Sequence, residues 1–319
     1  MHAPPRTKST TGNARQPNYN ERFGTEHNKI YERELTVKQP GSREDSHYYG
    51  SASEHFTQTV VGFILAVLVT GCAEQHYRAS PQTVGELADP LTALMAIQRS
   101  TEERGGSFES CLDQNGHGLA TFSFSGEKIQ IICKKDGRQR TVRYREVPEV
   151  EAISHGNNFG HIALHRRDGT TQRVIDTVYW PKFESAKEFA DAWYVLAQPR
   201  QLRDPATDVV FLDAVKRYQA NPKPYEEALR RVQIQVENAI KEHNVLEAAT
   251  FYRDALKTAV GWPEGHFNLA LLLGELDFYP DAINEMRRYL YLIPAAPDTR
   301  AAQDKIYEWE RKAKPEGSR

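Results

Sequence analysis

The sequence predicts an α+β chain: an antiparallel, strand-rich module closed by its own helix, then an all-α domain of helical repeats. Three observations carry this reading. Apolar residues alternate with a period of two across 119–176, and Asp136-Gly137 and Asp168-Gly169 sit where tight hairpins need positive φ. A stripe at i, i+3, i+4, i+7 follows in Ala186, Phe189, Ala190 and Trp193, continued by Leu196. After residue 229, a pattern of paired helices recurs at a spacing of 34 residues.

Composition narrows the function classes. A chain of 319 residues holds about two domains. Lys and Arg number 41 against 43 Asp and Glu, a formal net charge of −2, so no whole-chain attraction to nucleic acid is expected. Three cysteines are too few for a disulfide-built scaffold. A mean hydropathy of −0.66 excludes a polytopic membrane protein.

Residues 1–58 read as a disordered tail or the product of an upstream start codon. Pro, Gly, Ser and Asn dominate there, and no apolar period recurs that could offset the entropy of ordering. Residues 59–71 contain an uncharged run, Val60 to Val69, too short to span a bilayer but fitting the h-region of a secretory signal. It ends in Val69-Thr70-Gly71-Cys72, which resembles the bacterial lipobox. The resemblance implies cleavage before Cys72 and a lipid on that cysteine. The nearest upstream basic residue is Arg43, so the sequence departs from the pattern in its n-region; the other reading is a buried core segment with an incidental cysteine. Residues 72–85 read as a tether.

The strand-rich module covers 86–198. Leu87, Leu91, Leu94, Met95 and Ile97 make a short amphipathic helix ended by Gly105-Gly106. Strands follow in 120–125, 129–134 and around Val142 and Tyr144, then 160–165 and 172–176. Ser185 with Glu188 forms a candidate capping box for the closing helix. Hairpins followed by one apolar-faced helix resemble the small PH-like or GRAM-like barrel. Lys134, Lys135, Arg138, Arg140, Arg143 and Arg145 crowd one hairpin. In PH-like modules such a hairpin can receive phosphate headgroups; the other reading is an edge protected from aggregation. His161 and His165 lie on a strand, where four residues span roughly 13 Å, so they do not share a metal ion. No HExxH, CxxC pair, Gly-rich phosphate loop or G-x-S-x-G occurs, so neither catalysis nor a metal or cofactor is expected. Cys111 and Cys133 are either a disulfide, closing a loop worth ~3 kcal/mol in an exported chain, or two buried thiols.

The helical domain covers 199–314. Val209, Val210, Leu212, Ala214, Val215 and Tyr218 stripe a helix over Asp204–Ala220. Residues 262–274 and 281–290 then form a helical pair in which small Ala270 and Ala282 allow close approach, with Met286, Tyr289 and Leu290 behind them. Thirty-four residues upstream stand Val236, Ala248, Tyr252, Ala255 and Leu256. Residues 229–296 closely resemble a tandem of tetratricopeptide repeats. The earlier unit departs in its bulky Val236 and in lacking the glycine. A final helix striped by Ala301, Ile306 and Trp309 covers one end, and the 204–220 helix is placed to cover the other.

The resemblance implies a concave groove lined by first helices, with Gln233, Glu237, Phe267, Asn268, Leu271 and Lys305 pointing into it. Asn268 matches a position that often holds a peptide backbone. For Phe267 and Leu271, ordinary packing is the alternative. The resulting expectation is a non-enzymatic bacterial lipoprotein, with Cys72 in a membrane and a groove that takes a peptide or helix of an envelope protein. Ala73 after the cysteine implies the outer membrane, facing the periplasm. The rivals are an envelope enzyme or ligand-binding accessory with its site in the strand-rich module, and a cytosolic protein whose apolar run is core.

Overall fold

Alternation along residues 120–143 becomes a three-stranded antiparallel sheet of β3 (Ala120–Phe124), β4 (Lys128–Cys133) and β5 (Gln139–Arg143). In a computed structural model of the chain, residues 74–112, 120–155, 159–168, 171–221 and 227–314 are described, all within one unit, Gly62–Arg319. The tail, the lipobox with Cys72, and Gly169 lie outside the described residues. Ile129, Ile131 and Cys133 turn inward from β4 and are fully buried, as their spacing predicts. Gly137, at φ 69°, lets the β4–β5 hairpin turn in a region closed to most side chains.

A second, five-stranded antiparallel sheet has the order β1-β6-β7-β8-β2. Its members are β1 (Gln75–Arg78), β2 (Ser107–Phe108), β6 (Glu151–His155), β7 (Phe159–Asp168) and β8 (Thr171–Trp180). The segment expected to be a tether therefore differs from expectation: Gln75–Arg78 pairs along β6 as an edge strand. Tyr77 fixes it further by donating its hydroxyl to Asp191 at 2.7 Å.

Helix α1 (Pro90–Glu102) starts with proline at its first position, where no N–H is needed, and Asp89 accepts the Thr92 N–H. Helix α2 (Phe183–Ala197) packs against α1 and across β6, β7 and β8. It carries Phe189 and Trp193 into the core; fully burying each such side chain contributes ~1.5–3 kcal/mol. Trp193 meets Tyr144 edge-on at 4.8 Å and donates to the Val147 carbonyl at 2.8 Å. The expected capping box does not form. Buried Phe183 already starts the helix, which places Ser185 inside its first turn, and Glu188 instead pairs with Arg99 and Arg104 of the α1 end.

Helices follow: α3 (Val209–Ala220), α4 (Glu227–Lys241), α5 (Val245–Leu256), α6 (Pro263–Glu275), α7 (Tyr279–Leu292) and α8 (Thr299–Ala313). The architecture is thus α+β, an antiparallel sheet region followed by helices. From α4 onward each helix packs on the next. The helix expected from Asp204 starts at Val209, because the Asp208 carboxylate caps the Phe211 N–H. Its first two valines, expected on the buried face, are exposed. Nor does α3 cover the beginning of the array: Phe211 and Val215 pack with Leu292 of α7. The C-terminal stripe is Ala302, Ile306 and Trp309, with Ala301 outside.

The 34-residue spacing reappears in the backbone. His243 and Asp277 are the two non-glycine residues with positive φ among those described, 58° and 61°. Each is followed by the same helix-closing bond, Asn244 N–H to Ala239 O and Phe278 N–H to Leu273 O, both 2.8 Å. One buried core runs through sheets and helices alike. At their junction the Gly126 N–H donates to the Leu276 carbonyl at 2.6 Å, and a Cβ on Gly126 would lie 2.3 Å from the Phe278 ring. Arg253 of α5 also reaches Thr92 of α1 and the capping residue Asp89.

Candidate functional site

The six residues expected in a groove fall on three helices. Gln233 and Glu237, one turn apart on α4, are both exposed. Phe267, Asn268 and Leu271 are half-buried on α6, and exposed Lys305 on α8 pairs with Glu308 at 3.0 Å. Phe267 packs against the Tyr289 ring of α7 at 5.0 Å, and Leu271 against the shared core, so both serve packing. Asn268 donates its amide to the Tyr252 hydroxyl of α5 at 2.9 Å. None of the six lines either of the two clefts next described.

The larger cleft, ≈ 1160 Å³, lies between the end of α2, residues 198–208 and α7. Its wall includes Tyr194, Arg200, Asp281, Asn284 and Arg288. Arg200 stacks over the Phe278 ring at 4.6 Å and pairs with Asp281 at 3.3 Å. Burial pulls the guanidinium down from its ordinary value and pushes the Asp281 carboxyl up, and their mutual attraction opposes both shifts. The second cleft, ≈ 860 Å³, is bordered by Leu212 and Val215 of α3, Leu290 of α7 and Ile306 of α8. The larger cleft escaped sequence reasoning: Arg200 and Asp281 are 81 residues apart, and the one available signal was a charged run between two helices.

Beside it lies a buried histidine–carboxylate contact. His266 Nδ1 is 2.5 Å from the Glu285 carboxylate and Nε2 is 2.8 Å from the Val260 carbonyl, so both ring nitrogens face acceptors. The Phe211 ring stands edge-on to the imidazole at 5.8 Å. Burial would raise the Glu285 carboxyl, but the hydrogen bond and charge of His266, with Arg288, hold it below its ordinary 4.5. A depressed folded-state value contributes stability that is present above 4.5 and lost as pH falls through the folded value. Urea titrations from about pH 6 to about pH 3 are expected to show that loss, and Glu285→Gln is expected to flatten it while lowering stability at the upper end. An unchanged pH profile in the variant would remove Glu285 as its cause.

In the sheet region Cys111 and Cys133 form a disulfide, with Cα atoms 4.9 Å apart. The basic hairpin is largely paired within the chain. Lys135 donates to the Leu112 carbonyl, Arg138 pairs with Asp136, and Arg140 donates to the Ile175 carbonyl beside Asp176. Arg143 meets Glu146 at 3.3 Å. His161 and His165 both lie on β7. No group of three His, Cys, Asp or Glu that could hold a metal ion occurs among the described residues. No helix among them is long and apolar enough to cross a membrane.

Comparison with protein-family models, with curated proteins and with solved structures finds no match to this chain.

Proposed function

We propose that this chain is a lipid-anchored interaction scaffold of the bacterial envelope. In this reading Cys72 carries the lipid, residues 86–198 form a PH-like module, and 199–314 form a tetratricopeptide-type array whose groove takes a peptide or helix of an envelope protein. The observation that carries it is the backbone repeat: a left-handed residue and the same closing bond at His243 and Asp277, each in the turn within a helix pair, the pairs burying Ala248, Ala270 and Ala282 fully. Stacked pairs of this kind leave first-helix side chains to face a ligand. The disulfide supports export, because such bonds persist in oxidising compartments. Ala73 after the lipidated cysteine directs the protein to the outer membrane, facing the periplasm.

Palmitate labelling with a Cys72→Ser control tests the anchor, and an unlabelled wild type refutes it. The groove is tested by pull-down from native membranes with Gln233→Ala and Glu237→Lys. These side chains are exposed, so their replacement leaves packing intact, whereas Phe267 and Asn268 hold neighbouring helices. Partner recovery is expected to fall about tenfold. Undiminished recovery would show that this face is not the working surface.

A further inference from the structure

Residues 198–208 cross from α2 to α3 and are held by α7 as a bound peptide is held. The backbone is extended at both Gln198 and Asp204. Between them Asn284 addresses the main chain with both ends of its amide: the Arg203 N–H donates to Oδ1 at 2.7 Å, and Nδ2 donates to the Gln201 carbonyl at 3.0 Å. In extended chain the carbonyl of one residue and the N–H two residues on face the same way, so this pairing reads backbone and ignores side chains. Charge fixes the two ends. Arg200 lies on Phe278 and pairs with Asp281, and Arg288 donates to Asp208 at 2.7 Å. The intervening Gln201, Leu202 and Arg203 side chains face solvent.

We infer that the α7 face of Asp281, Asn284 and Arg288, with Phe278 at its cap, is a binding site for a peptide that is extended after an arginine near one end and makes one 3-10 turn before an acid eight residues on, occupied in cis by residues 200–208, whose turn is Pro205–Thr207. Two features make the occupant exchangeable. Arg200 Nη2 has no hydrogen-bond partner although its side chain is only 9% exposed, so the cis fit leaves a buried donor unsatisfied. The ≈ 1160 Å³ cleft beside the strap also gives a competing segment room to lie. This face belongs to the second helix of a pair, apart from the first-helix surface of Gln233, Phe267 and Lys305, so neither reading depends on the other.

Fluorescence anisotropy with a labelled synthetic peptide of residues 198–208 tests the inference on the full chain. The proteins compared are wild type, Arg200→Ala, Arg203→Pro, and each strap variant combined with Asn284→Ala. Arg203→Pro removes the N–H given to Asn284 while leaving every buried side chain in place, so it carries the test if Arg200→Ala fails to fold. A strap that fills the site more than nine-tenths of the time predicts at least ~tenfold tighter binding to the strap variants than to wild type. The gain is expected to disappear when Asn284→Ala is added. Equal affinity in wild type and strap variants overturns the inference. So does absence of binding to variants that melt cooperatively, or a gain that survives loss of Asn284.

Discussion

Phe278→Ala is expected to lower the unfolding free energy by about 3–5 kcal/mol, the range for deleting a well-packed aromatic side chain. The ring is 1% exposed and lies where the sheet region meets the helices. Gly126 approaches it so closely that no side chain fits between them, and the Arg200 guanidinium covers it at 4.6 Å. Truncation leaves a cavity under Arg200 and removes the cation–π contact that accompanies its pairing with Asp281. The effect reaches beyond stability, because this contact joins the β3–β4 turn to the α6–α7 turn. Wild type should unfold in one transition by hydrogen exchange, with β4 and α6 amides opening together. In the variant α6 and α7 should open first. A loss below about 1 kcal/mol with coincident opening would refute the junction's importance.

Cys111→Ser with Cys133→Ser is expected to cost about 3 kcal/mol, the entropy of closing a loop between cysteines 22 residues apart. The bond ties the turn after β2, in the five-stranded sheet, to the end of β4, in the three-stranded one. Asp176 of β8 reinforces the same joint by accepting the Ser110 N–H and hydroxyl. Urea melts with and without reductant measure the effect: reductant should bring wild type to the level of the double variant and leave the variant unmoved. Equal stability of oxidised wild type and the double variant would count against it.

What the sequence made legible was whatever local period controls. Burial of Ile129, Ile131 and Cys133 follows from alternation, the Asp136-Gly137 turn from φ preference, and the helix pairs from a spacing that recurs in the backbone at His243 and Asp277. Contacts that join distant segments were not legible. Gln75–Arg78 is short and polar; it becomes a strand because β6 offers unpaired backbone groups and Asp191 takes the Tyr77 hydroxyl. The seat of α3 on α7 depends on Asn284 and Arg288 holding a segment some eighty residues upstream. For the expected groove, position along a repeat named the helices, but it did not separate exposed Gln233 and Glu237 from Phe267 and Asn268, which neighbouring helices engage.

The pairing of β1 bears on how such a molecule would sit at a membrane. With a lipid on Cys72, only two residues would stand between the anchor and Gln75, and the three chain steps from Cys72 to Gln75 can span at most about 10 Å. A long leash would let the body sweep a hemisphere and meet partners in any attitude. If the proposed lipid is there, a mooring this short would hold the β1 edge of the five-stranded sheet near the headgroups and restrict tumbling, keeping the helices at a set height above the bilayer. A partner in the same membrane would then have to reach that height to meet the helices.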